Sequence, residues 1–333
     1  MPEVKMDLNP EISVVMSVYK EPIEWIRKSV DSILNQSFID FEFIIVNDAP
    51  GREDLYDYLK FLSDSDSRIK VIENDVNSGL TKSLNNGLKQ CRGKYIARMD
   101  ADDFSLPQRF ERQISFMENN PDVIASSAMA VEWDGVRTGE KLYRPVTDSD
   151  FQEYIFTSSP FIHPLLIMRK DVLDKYGLTY DETFKVSQDY KLAADLSKIG
   201  RLANLDEVLL YYRVSENQIS KARGKEQDEN GRRIRRDLIN TFYSTLGIPE
   251  IGNKITLEDI SENERSSSNL DPAQRRIMNC IRRLFYYSLS DYSLKSLSKF
   301  IMSGDYFSQP YNLRRFGVVV VKHLRRKVVP SLV

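Results

Sequence analysis

The sequence predicts an α/β chain: a mostly parallel sheet flanked by helices, followed by a helical C-terminal extension. Three observations predict it. Short apolar runs that end in polar residues recur four times before residue 104. Segments with helical spacing separate them. Beyond residue 237, Leu238–Leu246 and Ala273–Met302 contain no Gly or Pro.

Ile12 to Val18 (Ile-Ser-Val-Val-Met-Ser-Val) has the continuous apolar character of a buried strand. A helix is expected after Pro22, with Trp25, Ile26, Val30, Ile33 and Leu34 at helical spacing. Phe41–Val46 reads as the second strand, ending at Asn47-Asp48, and Ile69–Ile72 as the third. Gly79–Gln90 fits a helix with Leu80, Leu84 and Leu88 on one face. Lys94–Met99 is the fourth strand, running into an acidic cluster. Val123–Arg144 loosens into strands, Pro164–Met168 is another strand candidate, Gln188–Ile199 a helix, and Glu207–Tyr212 a last strand. The expected organisation is a catalytic-type α/β domain over 1–220, a charged linker entering a helix over 221–236, and a helical region over 237–333.

Composition narrows the class. The 333 residues carry 47 Lys/Arg and 49 Asp/Glu, with 41% hydrophobic residues. That balance excludes a disordered or collagen-like chain. Two cysteines, Cys91 and Cys280, build no disulfide framework. Met1–Glu11 holds acids and prolines and no apolar core, so no signal peptide is expected. No run approaches the roughly 20 apolar residues of a membrane span. The net charge of −2 hides an asymmetry: from Pro272 on there are 12 Lys/Arg against two acids, whereas the preceding residues hold 35 against 47. An acidic body argues against nucleic acid as partner.

In parallel α/β sheets ligands bind beyond the carboxyl ends of the strands, so polar strand ends are the candidate site. Asp100, Asp102 and Asp103 crowd one such end. Crowded carboxylates repel, and a hard divalent cation with substrate phosphates relieves them. The alternative is a solvated acidic turn, or a cap by Asp103 for a helix after Leu106. Asp48 either accepts hydrogen bonds from a base or ribose or closes an Asx-turn. Asn77-Ser78-Gly79 either lets a phosphate approach a helix N-terminus or is an ordinary cap. Asp189 is either a general base or an N-cap, and His163 either faces a substrate or is structural.

The order of these pieces resembles the inverting, family 2 type of nucleotide-sugar glycosyltransferase with the GT-A (Rossmann-like) fold. The resemblance starts at Val14–Tyr19 and runs through Ser32–Ser37, Phe43–Asp48, Asn77–Leu80 and Gly93–Asp103. It continues with His163, Ser187-Gln188-Asp189-Tyr190 and Tyr211-Tyr212-Arg213. It covers about Glu11 to Ser220 and implies roles residue by residue. Asp48 reads the nucleobase. Ser17, Tyr19 and Glu21 contact the nucleotide, and Asn77, Gly79, Arg98 and Asp100 complete the donor site. Asp102 lies nearest the metal, Mn²⁺ or Mg²⁺, and the diphosphate. Asp189 is the catalytic base, with His163 and Gln188 on the acceptor side. The chain departs from the pattern at Asn47, where an acid is usual, at Gln188, where a Glu is usual, and at Val214–Asn217, where many relatives place a histidine. The Gln-x-x-Arg-Trp motif of processive synthases is missing, which implies one sugar per encounter.

The resemblance implies a nucleotide-sugar donor, UDP-sugar first, and a glycan or lipid-linked acceptor in surface-polysaccharide synthesis. A cytoplasmic enzyme is expected, with peripheral contact to the inner face of the membrane. That contact is expected from 311–333, where six Lys/Arg interleave with apolar residues and no acid occurs. The alternative for this tail is packing on the acidic body or at a dimer contact. A nucleotidyltransferase fits less well, since Ser17–Glu21 is no Gly-rich phosphate loop. A receiver-type regulator is shorter, and a non-catalytic nucleotide binder is the remaining alternative.

Overall fold

A computed structural model describes residues 9–214, 224–267 and 270–288. The chain divides into two compact units, Met1–Gly231 and Arg232–Val333.

The first unit is built on a single sheet. Its strands are β1 (Ile12–Val18), β2 (Phe41–Asn47), β3 (Ile69–Glu73), β4 (Tyr95–Asp100), β5 (Phe104–Ser105), β6 (Val123–Trp133), β7 (Thr138–Leu142), β8 (Ile167–Arg169) and β9 (Arg201–Arg213). They are ordered β3-β2-β1-β4-β8-β6-β9-β5, with β7 paired to β6. β3, β2, β1 and β4 are parallel, as expected. Beyond β4 the sheet is mixed: β8 is antiparallel to β4 and β6, and β9 is parallel to β6 but antiparallel to β5.

The helices follow from where apolar residues recur. In α1 (Ile23–Leu34), Ile26, Val30 and Ile33 are fully buried at one-turn intervals. Gly87 in α3 (Leu80–Leu88) sits so close to β1 that a Cβ there would stand 2.6 Å from the Val15 side chain. Gly93 is tighter still, since a Cβ would meet the Ser13 backbone nitrogen at 2.5 Å. Only glycine lets the chain enter β4 against β1 at that point. One face of the parallel half buries Val14, Met16, Phe43, Ile45, Ala97 and Met99, and the other buries Val15, Ile44, Val46 and Ile96.

Several boundaries differ from the sequence reading. α2 (Glu53–Ser65) was not expected; it buries only Leu55, Leu59 and Leu62, and the acids and tyrosines around them obscure the period. The expected strand from Pro164 starts at Ile167, because His163–Leu165 forms a 3₁₀ turn in which Pro164 needs no hydrogen-bond donor. The helix offered after Leu106 is α4 (Arg109–Asn119), and short α5 (Asp148–Tyr154) and α6 (Lys170–Tyr176) are additions. α7 ends at Leu196 rather than Ile199 (Gln188–Leu196). β9 begins at Arg201, six residues before the expected strand, and follows β6 through register shifts. The stretch 221–236, read as a charged linker entering a helix, is helical from Gly224: α8 spans Gly224–Leu246.

The second unit holds the end of α8, then α9 (Leu257–Arg265) and α10 (Pro272–Ser288). Within it Asn263 Nδ2 donates to the Tyr243 hydroxyl at 2.8 Å. Among the described residues no helix is long and apolar enough to cross a membrane. The end of the helix expected to reach Met302 and the basic tail 311–333 lie outside the described residues.

Candidate active site

Two groups of strand-end residues form the candidate site. The first lies beyond β1 and β2. Asn47 closes its strand end as an Asx-turn, its Oδ1 accepting from the Ala49 N–H at 3.0 Å, while its Nδ2 donates to Glu73 at 2.7 Å. Asp48 turns inward and is 2% exposed. One of its carboxylate oxygens accepts from Asn74 Nδ2 (2.9 Å) and the Ser78 N–H (2.7 Å). The other accepts from Asn77 Nδ2 (3.1 Å) and the Gly79 N–H (2.9 Å). Asp48 therefore fills the anion position that the N-terminus of α3 favours, which the sequence reading offered to a substrate phosphate. Gly79 supports this with φ 82°, a left-handed backbone that suits glycine.

Arg52, unremarked in the sequence, fixes the loop after β1. Its Nη1 donates to the carbonyls of Tyr19 (2.9 Å) and Glu21 (2.8 Å), and the Glu21 carboxylate accepts from the Tyr19 N–H at 2.7 Å. Tyr19, Lys20, Pro50, Gly51, Arg52 and Asn77 line a cleft of about 510 Å³. Ser17 lies in β1, in register with Asp100 of β4.

The second group surrounds the end of β4. Arg98 is 2% exposed, and its guanidinium lies 2.5 Å from an Asp100 carboxylate oxygen. The buried Arg109 braces this strand by donating to the Arg98 carbonyl at 2.7 Å. It also donates to Gln113 at 2.9 Å, and Gln113 holds the Leu165 carbonyl of the 3₁₀ turn at 2.7 Å. Burial, then the negative charges of Asp100 and Glu21, push the Asp102 carboxyl up to about 7. Glu21 and Asp102 thus bring the β1 loop and the acidic turn to one place. Asp103 is not a helix cap: α4 starts after Gln108. It is 2% exposed and accepts the Arg213 N–H at 2.7 Å, and burial with Asp102 and Asp100 raises its carboxyl well above the ordinary range.

Among the described residues no three His, Cys, Asp or Glu side chains converge into a cation cage. The carboxylates still suit a cation, because at Asp102 burial and the like charges of Asp100 and Glu21 outweigh the opposing Arg98 charge. One or two carboxylates plus diphosphate oxygens is the usual protein share of a Mg²⁺ or Mn²⁺ site bound to a nucleotide.

Asp189 stands in the first turn of α7. Ser187 before it has φ 62°, the one left-handed non-glycine among the described residues, and such backbone strain gathers at functional sites. Burial raises the Asp189 carboxyl, opposed by hydrogen bonds from the Tyr190 N–H and the Ser159 hydroxyl and by the Arg144 charge. Asn230 of α8 donates to the Val186 carbonyl at 2.9 Å and steadies the same turn. Gln188 beside it is 7% exposed. His163 Nε2 lies 2.8 Å from the Tyr180 hydroxyl. Burial and then the Arg98 charge hold its imidazole well below the usual range, so it is neutral.

Tyr212 lies within electrostatic reach of all the distant acids. Its hydroxyl is pushed up by burial and then by the charges of Asp103, Asp100, Asp102 and Asp189. All four act on one phenol, although Asp189 is remote from the others in sequence. Such a cluster can carry a cation and, at Asp189, accept a proton. Arg52, Ser159, Asn230 and Arg213 were missed as site residues. Only Arg213 carried any signal, as the end of the Tyr-Tyr-Arg run.

Residues 13–177 match the family model described as Glycosyl transferase family 2. An uncharacterized glycosyltransferase of Haemophilus influenzae is 30% identical over 332 residues, covering 96% of this chain and 98% of the relative. The amylovoran biosynthesis glycosyltransferase AmsE of Erwinia amylovora is 33% identical over 215 residues, 64% of this chain and 79% of the relative. The O-antigen biosynthesis glycosyltransferase WbnJ of Escherichia coli is 31% identical, over 63% of this chain and 82% of the relative. Among solved structures, S. aureus TarS 1-349 in complex with UDP-GlcNAc matches with a TM-score of 0.56 at 17% identity, over 85% of this chain and 93% of that one. The mannosyltransferase PcManGT of Pyrobaculum calidifontis, in complex with GDP-Man and Mn²⁺, matches with a TM-score of 0.53 at 13% identity, over 96% of this chain and 88% of that one. These two likenesses establish the GT-A type of α/β fold.

Proposed function

The chain belongs to glycosyl transferase family 2, and from that premise we propose that it moves a single sugar, with inversion, from a nucleotide sugar to a hydroxyl of a glycan or lipid-linked acceptor. That Asp100, Asp102, Asp103 and Asp189 all lie within electrostatic reach of Tyr212 carries this reading. We favour a UDP-sugar and a role in surface-polysaccharide synthesis. The amylovoran and O-antigen relatives and the UDP-GlcNAc-bound fold neighbour support both.

The nucleoside enters the cleft between Tyr19 and Asn77, whose shape the Asp48 and Arg52 bonds maintain. In this reading Asp48 serves the donor by holding the 74–79 loop. Ser17, Glu21, Asp100 and Arg98 border the path from nucleoside to diphosphate. Asp102, with Asp100 behind it, is placed to hold Mn²⁺ or Mg²⁺, which when bound supplies Lewis-acid neutralisation of the departing diphosphate. Asp189 takes the proton of the attacking hydroxyl, which must come within about 2.6–3.2 Å of its carboxylate. Its raised pKa makes it the stronger base. Gln188 and His163 stand on the acceptor side of this step. The anomeric carbon gains the acceptor oxygen as its bond to the diphosphate oxygen breaks, so no covalent enzyme intermediate forms.

Incubation with Mn²⁺ and a panel of nucleotide sugars tests the proposal. Slow UDP release from one donor is expected. Pyrophosphate release identifies a nucleotidyltransferase instead, and no turnover with any donor leaves nucleotide binding alone. The tail 311–333 is proposed to hold the enzyme at the inner face of the membrane. Flotation with anionic liposomes, comparing the full chain with one ending near Asp305, tests that; equal flotation rejects it.

A further inference from the structure

Both tryptophans of the chain close on one side chain. The guanidinium carbon of Arg213, at the end of β9, lies 4.4 Å from the Trp25 ring of α1 and 4.4 Å from the Trp133 ring at the end of β6. Arg213 is 3% exposed. Its Nε donates to the Asp102 carbonyl at 2.6 Å, and its backbone N–H donates to the Asp103 carboxylate at 2.7 Å. The hairpin after β6 leaves room for it through Gly135, where φ is 104° and a Cβ would stand 3.0 Å from Nη1. A second ring layer backs the clamp: Phe104 stacks on Tyr211 at 6.0 Å and lies 6.1 Å from Trp133.

Burying a guanidinium is costly unless its charge and donors are matched. Here two indole faces meet the charge, and the most directional donor is given to the backbone of the acidic turn. The bond goes to the Asp102 carbonyl, so Arg213 fixes the backbone of the acidic turn, and its charge also acts favourably on the Asp102 and Asp103 carboxylates. A sugar-stacking platform is the other reading of the aromatic layer. It fits less well, because Trp133 is already engaged by Arg213, Lys28, Phe104 and Tyr211.

We propose that Arg213, clamped between Trp25 and Trp133, is a positioning residue that presents the Asp102 carboxylate to the cation and the donor diphosphate. This rests on the reading of Asp102 as the metal-side carboxylate. A turn fixed before the ligand arrives pays no ordering cost when it binds. Metal-dependent nucleotide affinity should therefore depend on the clamp, whereas metal-independent affinity should not.

Calorimetric titration with UDP, in Mn²⁺ and in EDTA, tests this on the wild type, Arg213→Lys and Trp133→Phe. Loss of a hydrogen bond from a charged group predicts an affinity for UDP with Mn²⁺ about tenfold weaker in Arg213→Lys. The EDTA affinity should be unchanged, and Trp133→Phe should show a smaller loss of the same kind. Because both indoles touch Arg213, Mn²⁺ with UDP should also change wild-type tryptophan emission, and Arg213→Lys should abolish the change. Melting curves check folding; if Arg213→Lys is unfolded, Trp133→Phe carries the test. Wild-type affinities in the folded variants, or equal losses in Mn²⁺ and EDTA, overturn the inference. A wild type whose UDP affinity ignores Mn²⁺ removes the metal reading of Asp102 and the clamp's role with it. That failure is seen before any variant is made.

Discussion

The turn beyond β2 and the turn beyond β4 are both acidic strand ends in the same parallel half-sheet, yet their physical states are opposite. At the first, Asp48 is buried with four donors on its two oxygens. At the second, Asp103 is buried and Asp102 half-buried beside like charges, and their carboxyls rise. Burial alone does not distinguish a structural acid from a functional one; the balance of donors and charges around it does. The first turn is complete as folded. The second stores repulsion that a bound cation can release.

If that contrast is right, substitutions in the carboxylate group should remove function and spare the fold. Asp189→Asn should show the largest effect, a fall in turnover of about 10²–10⁴-fold, the usual contribution of a general base. Donor affinity should be retained, because the hydrogen bonds to Asp189 come from its own turn and from Ser159. Single-turnover transfer alongside calorimetry measures both; near-normal turnover removes Asp189 from the chemistry.

Asp48→Ala should do the reverse. It strands the donors of Asn74, Asn77, Ser78 and Gly79, at a cost of about 2–4 kcal/mol in folding stability. Urea denaturation measures it. If stability is unchanged while nucleotide affinity collapses, Asp48 contacts the base directly and the contrast between the two turns fails.

Much of this architecture was legible in the sequence, for reasons that differ by residue. β1, β2 and β4 are buried on both faces and read as unbroken apolar runs. The carboxylates at their ends were visible because such strands deliver ligands at that edge. α2 was not legible, since three leucines on one stripe leave the rest of the helix to solvent. The cap on α3 was missed because the rules for caps are local, and Asp48 lies 31 residues before Gly79. Ser159 and Asn230 reach the Asp189 turn only through tertiary folding. The tryptophan clamp combines residues from α1, β6 and β9, and no spacing in the sequence announces that meeting.

The smallest effect gives the sharpest comparison, because its sign differs from that of Asp48→Ala. In EDTA, Asp102→Asn should stabilise the protein at neutral pH by about 1 kcal/mol or more, since it removes a half-buried charge held beside Asp100 and Glu21, and a shift from 3.8 to about 7 bounds the gain at roughly 4 kcal/mol. The gain should depend on pH in a defined way. The native carboxyl titrates near 7, against an ordinary value of 3.8. The native state therefore binds the more proton as pH rises from about 4 to about 7, and wild-type stability falls across that window relative to Asp102→Asn. Below it both states are protonated and the difference should vanish; above it the difference should be flat. His163, held neutral, contributes the opposite slope below its ordinary value of 6.5, but it does so in both proteins and cancels. Urea midpoints of the pair between pH 4.5 and 8 measure the difference. A gap that does not widen with pH would mean that Asp102 carries no unrelieved charge, and the two turns would then be physically alike.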